Sequence, residues 1–465
     1  MTAADQNRLA QADKAHCWHP FTPVADWEAS DPLIIDRGEG VYLFDIHGNR
    51  YFDGTSSLWC AALGHNHPRL SAALTNQLGR IAHSTFLGMT HPGAIELAQR
   101  LADLAPGDLN RVFYSDNGAT AVEIALKMAF QYHRQKASPE PGRTRFLAIA
   151  NAYHGDTLGD VSVGGVDRFH AMFRPLLFET LRAPSPYCYR CPLGLKWPEC
   201  GIACLDEARK LIDQHAETLA AVVVEPLVQG AAGMIMQPPG WLAGLAQHCR
   251  ERGVLVIFDE VAVGFGRTGT LFACQQEGAT PDFLCLAKGL TGGYLPLAAT
   301  LTTDVIYNAF RGDANDPKTF YHGHTFTGNP LGAAVALAVL DAFEHDGILE
   351  NVQRQAVRVS DRLEKDLSGR QFVGEIRQRG LMCAIELVQN RTSREPFDFK
   401  QKAGWQVVHE ARKRGLLVRP LGDSVTFLPP LNSTDTEIDT MLDILISSYI
   451  EVEQQLIQAC ADGRR

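Results

Sequence analysis

The chain has 465 residues, of which 45% are hydrophobic and 21% are charged; this is enough apolar material for roughly two or three globular domains and excludes a largely disordered chain. The formal net charge of −10 and the lack of a long Lys/Arg cluster exclude nucleic acid as an expected partner, because phosphate backbones are bound through basic patches. The longest nearly unbroken apolar run, residues 331–340, is shorter than the roughly 18 residues of a membrane span. The first residues also lack the apolar segment of a signal peptide. We therefore expect a soluble cytoplasmic protein without a membrane partner.

The N-terminal segment contains one clear structural signal. Residues 1–40 are rich in Trp, His and Pro, and we expect them to form a loop. Two strand-like stretches follow, 41–45 and 50–53, and the His-Gly-Asn sequence at 47–49 is typical of a hairpin turn. We expect residues 1–70 to contribute to the smaller of two domains.

Strand and helix signals alternate through the middle of the chain. Leu97, Leu101 and Leu104 recur at helical spacing. Further on, short apolar runs rich in β-branched residues indicate strands covered on both faces, and the helices between them indicate parallel connections. The predicted strands are 111–115, 146–150, 220–225, 254–258, 283–286 and 297–301, and the predicted helices are 120–134 and 241–252. The sequence therefore predicts a large α/β domain with a mainly parallel sheet over residues 71–334.

The pattern changes in the last part of the chain. The predicted elements are one long helix as far as residue 368, a strand at 380–386, a helix near 400–414, a strand at 416–419 and a closing helix from about residue 434. This order is typical of a smaller α+β domain, which we assign to residues 335–465.

Four of the eleven cysteines stand close together, at Cys188, Cys191, Cys200 and Cys204. Thiolates at this spacing could hold zinc or an iron–sulfur cluster, although the gap of eight residues is shorter than in common zinc modules. Small apolar cysteines could also pack a compact loop. The sequence leaves this choice open and no metal is assigned, while the odd number of cysteines in a long chain argues against a disulfide framework.

An acid and a lysine follow neighbouring strands of the middle domain. Asp259 follows strand 254–258, and Lys288 follows strand 283–286 directly before a glycine-rich turn. Ligands bind at the carboxyl ends of such strands. The pair fits pyridoxal 5′-phosphate chemistry, in which a lysine binds the cofactor covalently and a carboxylate keeps the pyridine nitrogen protonated. A GxGxxG pattern at 264–269 does not indicate a dinucleotide site, because it begins well after the strand and opens no clear helix.

A phosphate cradle and a ring-stacking residue also have candidates. Residues 115–120 turn from a strand into a helix and would offer backbone N–H groups and the positive end of a helix dipole to a phosphate. Tyr153 follows another strand and is suited to stack on a cofactor ring. On its own this tyrosine would more often be a core aromatic, and its place before His-Gly favours the stacking role.

These motifs resemble those of the class III aminotransferases, which are pyridoxal-phosphate enzymes of fold type I. The resemblance spans nearly the whole chain and rests on DNGAT at 116–120, YHGD at 153–156, EPLVQG at 225–230, FDEV at 258–261, GFGRTG at 264–269 and AKG at 287–289. Within the family, WHPFT at 18–22, YHG at 321–323, TFTGNP at 325–330 and VRP at 418–420 resemble the members that transaminate 8-amino-7-oxononanoate to 7,8-diaminononanoate in biotin biosynthesis.

The resemblance implies a role for each site residue. Lys288 would bind the cofactor and catalyse, with Asp259 at the pyridine nitrogen and Tyr153 on the ring. The other cofactor contacts would come from Gly118, Ala119 and Gln229, and from His324 and Thr325 of a neighbouring subunit, which implies a homodimer with shared active sites. The residues implied to contact substrate are Phe21, Leu58, Trp59, Tyr153, Lys288, Gly323 and Arg419. The guanidinium of Arg419 would hold the carboxylate of the keto substrate.

Two positions leave the amino donor open. Many members that use S-adenosylmethionine have Tyr where this chain has Phe21 and Trp where it has Leu58, so the site resembles more closely the variant that takes its amino group from lysine. Aromatic faces attract a sulfonium cation such as that of S-adenosylmethionine, and this chain lacks the aromatic ring at position 58. Other functions that stay open are an ω-amino acid or amine:pyruvate aminotransferase, a pyridoxal-phosphate-binding protein without turnover, and a mutase or decarboxylase on the same fold.

Overall fold

A computed structural model describes residues 2–461, with side chains as far as residue 459. Its central element is a seven-stranded sheet. In spatial order the strands are Arg111–Ser115, Ala298–Thr302, Phe283–Leu286, Leu255–Asp259, Leu219–Val224, Arg145–Ile149 and Thr180–Ala183. The last five pair in parallel, whereas Ala298–Thr302 runs antiparallel to both of its neighbours. The predicted α/β fold with a mainly parallel sheet is confirmed.

Both faces of this sheet are buried, because its strands divide their apolar side chains between two cores. In Leu219–Val224, the side chains of Val222 and Val224 belong to one core and those of Ala221 and Val223 to the other. This arrangement explains why the strands read as continuous apolar runs without alternation. The helices in this part of the fold are Pro92–Leu104, Gly118–Gln135, Leu158–Val163, Asp167–His170, Ala203–His215, Trp241–Glu251, Asp304–Ala309 and Pro330–His345.

A third core joins the two ends of the chain. One sheet contains Ile35–Glu39, Tyr42–Asp45, Arg50–Asp53 and Leu416–Leu417, another contains Val373–Arg379, Met382–Leu387, Ser424–Phe427 and Arg419–Leu421, and Val228–Gln229 pairs with Ile235–Met236. The helices here are Ile348–Leu367, Ala403–Lys413 and Asp435–Ala461, and the shorter ones elsewhere are Ser56–Trp59 and Pro68–Leu78. The division into segments 1–70, 71–334 and 335–465 stays a prediction, and residues 462–465 lie outside the described residues.

The hairpin and the middle strands follow the sequence closely, but two helix expectations are wrong. Ala3–His16 and Val24–Ala29 are helices where a loop was expected; neither buries a side chain, so no apolar stripe signals them. The long helix expected to end at residue 368 is two helices separated at Gly347, whose φ of 63° ends the first one. Within residues 2–461, no helix is long and apolar enough to cross a membrane.

Candidate active site

Lys288 and Asp259 lie together at the carboxyl edge of the central sheet. Asp259 is the last residue of its strand, and its backbone lies opposite that of Cys285 on the neighbouring strand. Lys288 follows the end of that neighbouring strand. Burial lowers the pKa of Lys288, and the carboxylates of Asp259 and Glu225 oppose that effect. The Lys288 Nζ atom lies 5.0 Å from the centroid of the Trp59 ring. An amine with a lowered pKa is suited to act as a nucleophile and as a base.

The Asp259 carboxylate is held in place by two donors. Its Oδ2 lies 2.8 Å from His154 Nδ1, and its Oδ1 accepts the Val261 N–H at 3.0 Å. His154 is buried, and its Nε2 has no hydrogen-bond partner among the described residues. Sequence reasoning included His154 in a motif without giving it a role. Its contact with Asp259 spans 105 positions, so no local pattern reveals it.

The candidate phosphate cradle is the start of the helix Gly118–Gln135. Asn117 caps this helix, since its side chain accepts the Thr120 N–H at 3.0 Å. The N–H groups of Gly118 and Ala119 occupy the first helical turn, where no earlier carbonyl is available to them. A Cβ added to Gly118 would lie 2.5 Å from Val261 Cγ1, so the helix start packs directly on the residue that follows Asp259-Glu260.

Tyr153 lies in a polar network at the end of another strand. Its hydroxyl donates to Asp156 Oδ2 at 3.0 Å, and its N–H donates to Glu225 Oε1 at 3.0 Å. Burial raises the pKa of the Tyr153 phenol, which keeps it protonated. Glu225, which sequence reasoning also left without a role, is fully enclosed, and burial raises its pKa to about 7. The amide of Gln229 donates to Ala150 O at 2.8 Å and accepts from Ser185 Oγ at 2.5 Å.

The residues expected to contact substrate form an aromatic wall and a strained turn. Phe21 is 55% exposed, and its ring lies 5.3 Å from Phe169, which in turn lies 6.1 Å from Tyr153. The four residues of Ser56–Trp59 all have positive φ values, between 46° and 70°. Such backbone is costly for residues other than glycine and tends to cluster at functional sites. The turn Ser56–Trp59 buries the side chain of Trp59 and leaves that of Leu58 half exposed.

The remaining predicted residues lie on two further segments. His324 Nδ1 is 2.9 Å from Asp116 Oδ2 of the same chain, beside the cradle, and Gly323 and Thr325 flank it. Arg419 is half-buried at the start of a short strand. Burial lowers its pKa, and no described acid forms an ion pair with it. Its guanidinium is therefore available to a carboxylate from outside the chain.

The four clustered cysteines come together in the folded chain. Cys188, Cys191, Cys200 and Cys204 are free thiols that line one small cavity together with Trp197. Burial, together with the neighbouring thiols, raises the pKa of Cys188 and of Cys204 to about 11. Over residues 2–459, no group of three or more His, Cys, Asp or Glu side chains is arranged to hold a metal ion.

Comparison with known proteins gives close relatives over almost the whole chain. Residues 24–448 match the family Aminotransferase class-III. An adenosylmethionine-8-amino-7-oxononanoate aminotransferase from Nitratidesulfovibrio vulgaris is 53% identical over 447 residues, which cover 96% of this chain and 82% of the relative. The protein of the same name from Geobacter sulfurreducens is 51% identical over 445 residues, covering 96% and 98%.

Two solved structures share the fold. The crystal structure of adenosylmethionine-8-amino-7-oxononanoate aminotransferase from Methanocaldococcus jannaschii matches with a TM-score of 0.91 and 44% identity, covering 96% of this chain and 99% of that one. An (S)-enantioselective omega-transaminase from Thermomicrobium roseum has the same TM-score, 0.91, with 36% identity and coverage of 97% and 99%. The family match and the identities together show that this chain belongs to the class III aminotransferases, with the fold-type I architecture of pyridoxal-phosphate-dependent transferases.

Proposed function

We propose that this chain is a pyridoxal-phosphate-dependent aminotransferase that converts 8-amino-7-oxononanoate to 7,8-diaminononanoate in the cytoplasmic synthesis of biotin. One observation carries the chemistry: the amine of half-buried Lys288 lies beside the carboxylate of Asp259, at the carboxyl ends of two neighbouring strands. The names of the relatives at 53% and 51% identity support the substrate.

The residues around Lys288 suit pyridoxal 5′-phosphate. The N–H groups of Gly118 and Ala119 would bind its phosphate, and Asp259 would accept a hydrogen bond from its pyridine nitrogen, since each carboxylate oxygen keeps a lone pair beyond its one described donor. The orphaned Nε2 of buried His154 is a polar atom that a bound ligand or water would satisfy. When bound, the cofactor supplies the sink for the electrons released at the substrate Cα.

Lys288 would move the proton in this reaction. Its lowered pKa favours the neutral amine, which can bind the cofactor and then, once released by the donor, accept a proton from the substrate Cα. The Trp59 ring beside Nζ limits access of water from that side. Tyr153 would stack on the cofactor ring, and Gln229 would lie near its 3′-oxygen.

Arg419 would orient the keto substrate by its carboxylate. A guanidinium without an acidic partner of its own can pair with both oxygens of a carboxylate. Phe21, Leu58 and Trp59 would then line the chain of the substrate, with Gly323 at its edge. These apolar side chains suit the methylene groups that separate the reacting carbonyl from the carboxylate.

The active unit in this proposal is a homodimer in which the segment with His324 and Thr325 would also reach the phosphate site of the partner, while His324 contacts Asp116 of its own chain. Exposed apolar side chains flank this segment: Leu87 is 89% exposed and Tyr321 is 81% exposed. The ring centroids of Phe326 and His83 lie 4.9 Å apart, so the segments that carry Tyr321 and Leu87 pack against each other. A patch of this kind on a folded chain favours association, and a second copy would cover it. Sedimentation of the wild type and of Leu87→Asp tests this, because the aspartate should shift the protein towards the monomer; unchanged dimers would contradict this surface as the interface.

Two donors are compatible with the site, and half-reactions distinguish them. The names of the relatives favour S-adenosylmethionine, whereas Phe21 and Leu58 favour lysine. Adding each donor singly to the holoenzyme and following loss of the cofactor absorbance should give a response to one of them, which 8-amino-7-oxononanoate then reverses. A response to neither donor would contradict the proposal.

The alternative functions give different results in the same assay. An ω-amino acid or amine aminotransferase would recover its absorbance with pyruvate more readily than with 8-amino-7-oxononanoate. A pyridoxal-phosphate-binding protein without turnover would bleach with a donor but release no product. Product analysis by mass spectrometry therefore separates all three functions.

A further inference from the structure

Asp160 is a buried acid for which the proposed function has no use. Its side chain is fully buried, and neither carboxyl oxygen has a hydrogen-bond partner among the described residues. Its backbone N–H is capped by Thr157 Oγ at 3.3 Å, as expected near a helix start. An ionised carboxyl in such a place would carry a large desolvation cost, which the nearby Thr157 hydroxyl offsets only in part.

The Asp160 carboxyl lies against the residues proposed to hold the cofactor. A Cβ added to Gly155 would lie 2.4 Å from Asp160 Oδ2 and 2.5 Å from Ala119 Cβ. Asp160 therefore packs between the loop that follows Tyr153 and the first turn of the helix Gly118–Gln135. Gly155 has a φ of 137°, so both its backbone and the lack of space require a glycine at this point of contact.

The charges that act most strongly on Asp160 are acidic and come from three different elements. Glu123 lies on the helix Gly118–Gln135, Asp156 on the loop before Asp160, and Asp259 at the end of its strand. The other titratable groups that face it, Tyr153 and Cys285, are themselves held in their protonated forms by burial. Burial and the like charges raise the pKa of Asp160 to about 9.

We propose that Asp160 is a positioning residue that must remain a neutral acid for the cofactor to stay bound. An ionised Asp160 would place a negative charge beside Ala119, where the proposed function puts the phosphate, and another beside the Asp259 carboxylate. Loss of this proton at alkaline pH therefore weakens cofactor binding. The inference rests on the proposed function, because it requires a phosphate at the start of the helix.

The first test compares the wild type with Asp160→Asn, which keeps the shape of the side chain and stays neutral at every pH. Titration of the apo-protein with pyridoxal 5′-phosphate gives the dissociation constant. For a group with a pKa of about 9, the wild-type constant should rise about tenfold more than that of the variant between about pH 8 and pH 10. A parallel rise in both proteins would overturn the inference, as would loss of binding at about pH 8 in a folded Asp160→Asn protein.

Glu123→Gln gives a test in the opposite direction. Removing this neighbouring negative charge lowers the pKa of Asp160. Loss of cofactor should therefore begin at lower pH in Glu123→Gln than in the wild type, and an unchanged midpoint would count against the inference. The matched control is Asp282→Asn, which neutralises a half-buried acid with a raised pKa that accepts the Val256 N–H at 2.8 Å, at the opposite end of its strand from Lys288. Its alkaline profile should match that of the wild type.

Infrared spectroscopy tests the charge of Asp160 without the cofactor. The apo-protein at neutral pH should show the C=O stretch of a protonated carboxyl that is missing in Asp160→Asn, and absence of that difference would overturn the inference. If the wild type does not bind pyridoxal 5′-phosphate at about pH 8, the proposed function itself fails. If it binds but shows no extra loss at high pH, only the role of Asp160 fails.

Discussion

His154 Nδ1 lies 2.8 Å from Asp259 Oδ2, and both side chains are buried. The second oxygen of Asp259 accepts the Val261 N–H, and Val261 packs on Gly118 at the start of the cradle helix. The orientation of the carboxylate and the position of the helix start are thus set by neighbouring contacts. A displacement of the helix start would therefore also move the Asp259 carboxylate.

Replacing His154 should lower turnover without unfolding the protein. His154→Phe fills the same space but removes the donor to Asp259, and loss of a hydrogen bond to a charged group costs about 1.5–3 kcal/mol, or roughly 10- to 100-fold in rate. His154→Asn can still donate and should recover part of the rate. We would measure kcat together with the pH titration of the cofactor absorbance; a titration unchanged in His154→Phe would argue against this positioning role.

Lys288→Ala should lose turnover while keeping the cofactor-binding residues in place. Removing a proton-transfer group lowers rates by roughly 10²- to 10⁴-fold. Loss of the proposed covalent link between Lys288 and the cofactor should lower the rate of turnover further. Single-turnover measurements with the donor, with and without added methylamine, test this, because a small amine can replace the missing one. Lys210→Ala, at an exposed lysine paired with Glu207, is the control and should behave as the wild type. Steady turnover by Lys288→Ala would refute the assignment.

Much of the fold follows from sequence, for a physical reason. The strands Arg111–Ser115 and Phe283–Leu286 have the predicted bounds. The second is apolar along its whole length because both faces of the sheet cover it. The helix Ala3–His16 buries nothing, so its signal is limited to the capping box of Thr2 and Asp5. The break at Gly347 is a single residue in an otherwise helical pattern, and one glycine is weak evidence for an end.

Some residues of the candidate site can be predicted from the sequence, and others cannot. Lys288 and Asp259 can be found because each directly follows a recognisable strand, and parallel strands bring their carboxyl ends together. His154 and Asp160 follow no such rule. Their importance depends on which atoms surround them, and Asp160 and Ala119 both lie close to the backbone turn at Gly155. Such contacts are known only once the chain is folded.

Arg419 should contribute to binding of the keto substrate. Arg419→Ala removes a charge-assisted pair worth about 1.5–3 kcal/mol, so KM for 8-amino-7-oxononanoate should rise roughly 10- to 100-fold. Arg419→Lys keeps the charge but not the two-pronged geometry and should recover only part of this loss. The residue has no acidic partner to leave unpaired, so stability should change little. An unchanged KM in Arg419→Ala would place the substrate carboxylate elsewhere.

Glu225 should make the apo-protein less stable as pH rises. Burial raises its pKa from 4.5 to about 7 in the folded chain, so between these values the folded state holds a proton that the unfolded state has lost. Stability therefore falls as pH rises through this window, by up to about 3 kcal/mol. Urea unfolding at several pH values should show a smaller fall in Glu225→Gln than in the wild type or in the control Glu217→Gln, at an exposed position. Some slope should remain in every protein, because Glu260 has a similarly raised pKa. Equal slopes in all three would contradict the buried, protonated state of Glu225.

Gly118→Ala tests the close contact at the start of the cradle helix. The added Cβ would lie 2.5 Å from Val261 Cγ1, so the helix start or the loop after Asp259 must move. Overpacking of this kind costs about 1–3 kcal/mol, and the shift falls on the N–H groups proposed to bind phosphate, so cofactor affinity should fall roughly 5- to 100-fold. Gly142→Ala adds the same atom where no atom of the described residues lies within 4 Å, and this variant should bind cofactor as the wild type does. Shortening the opposing side chain in the double variant Gly118→Ala/Val261→Ala should restore most of the affinity, because it removes the clash. If the double variant binds no better than Gly118→Ala, the loss does not come from this contact.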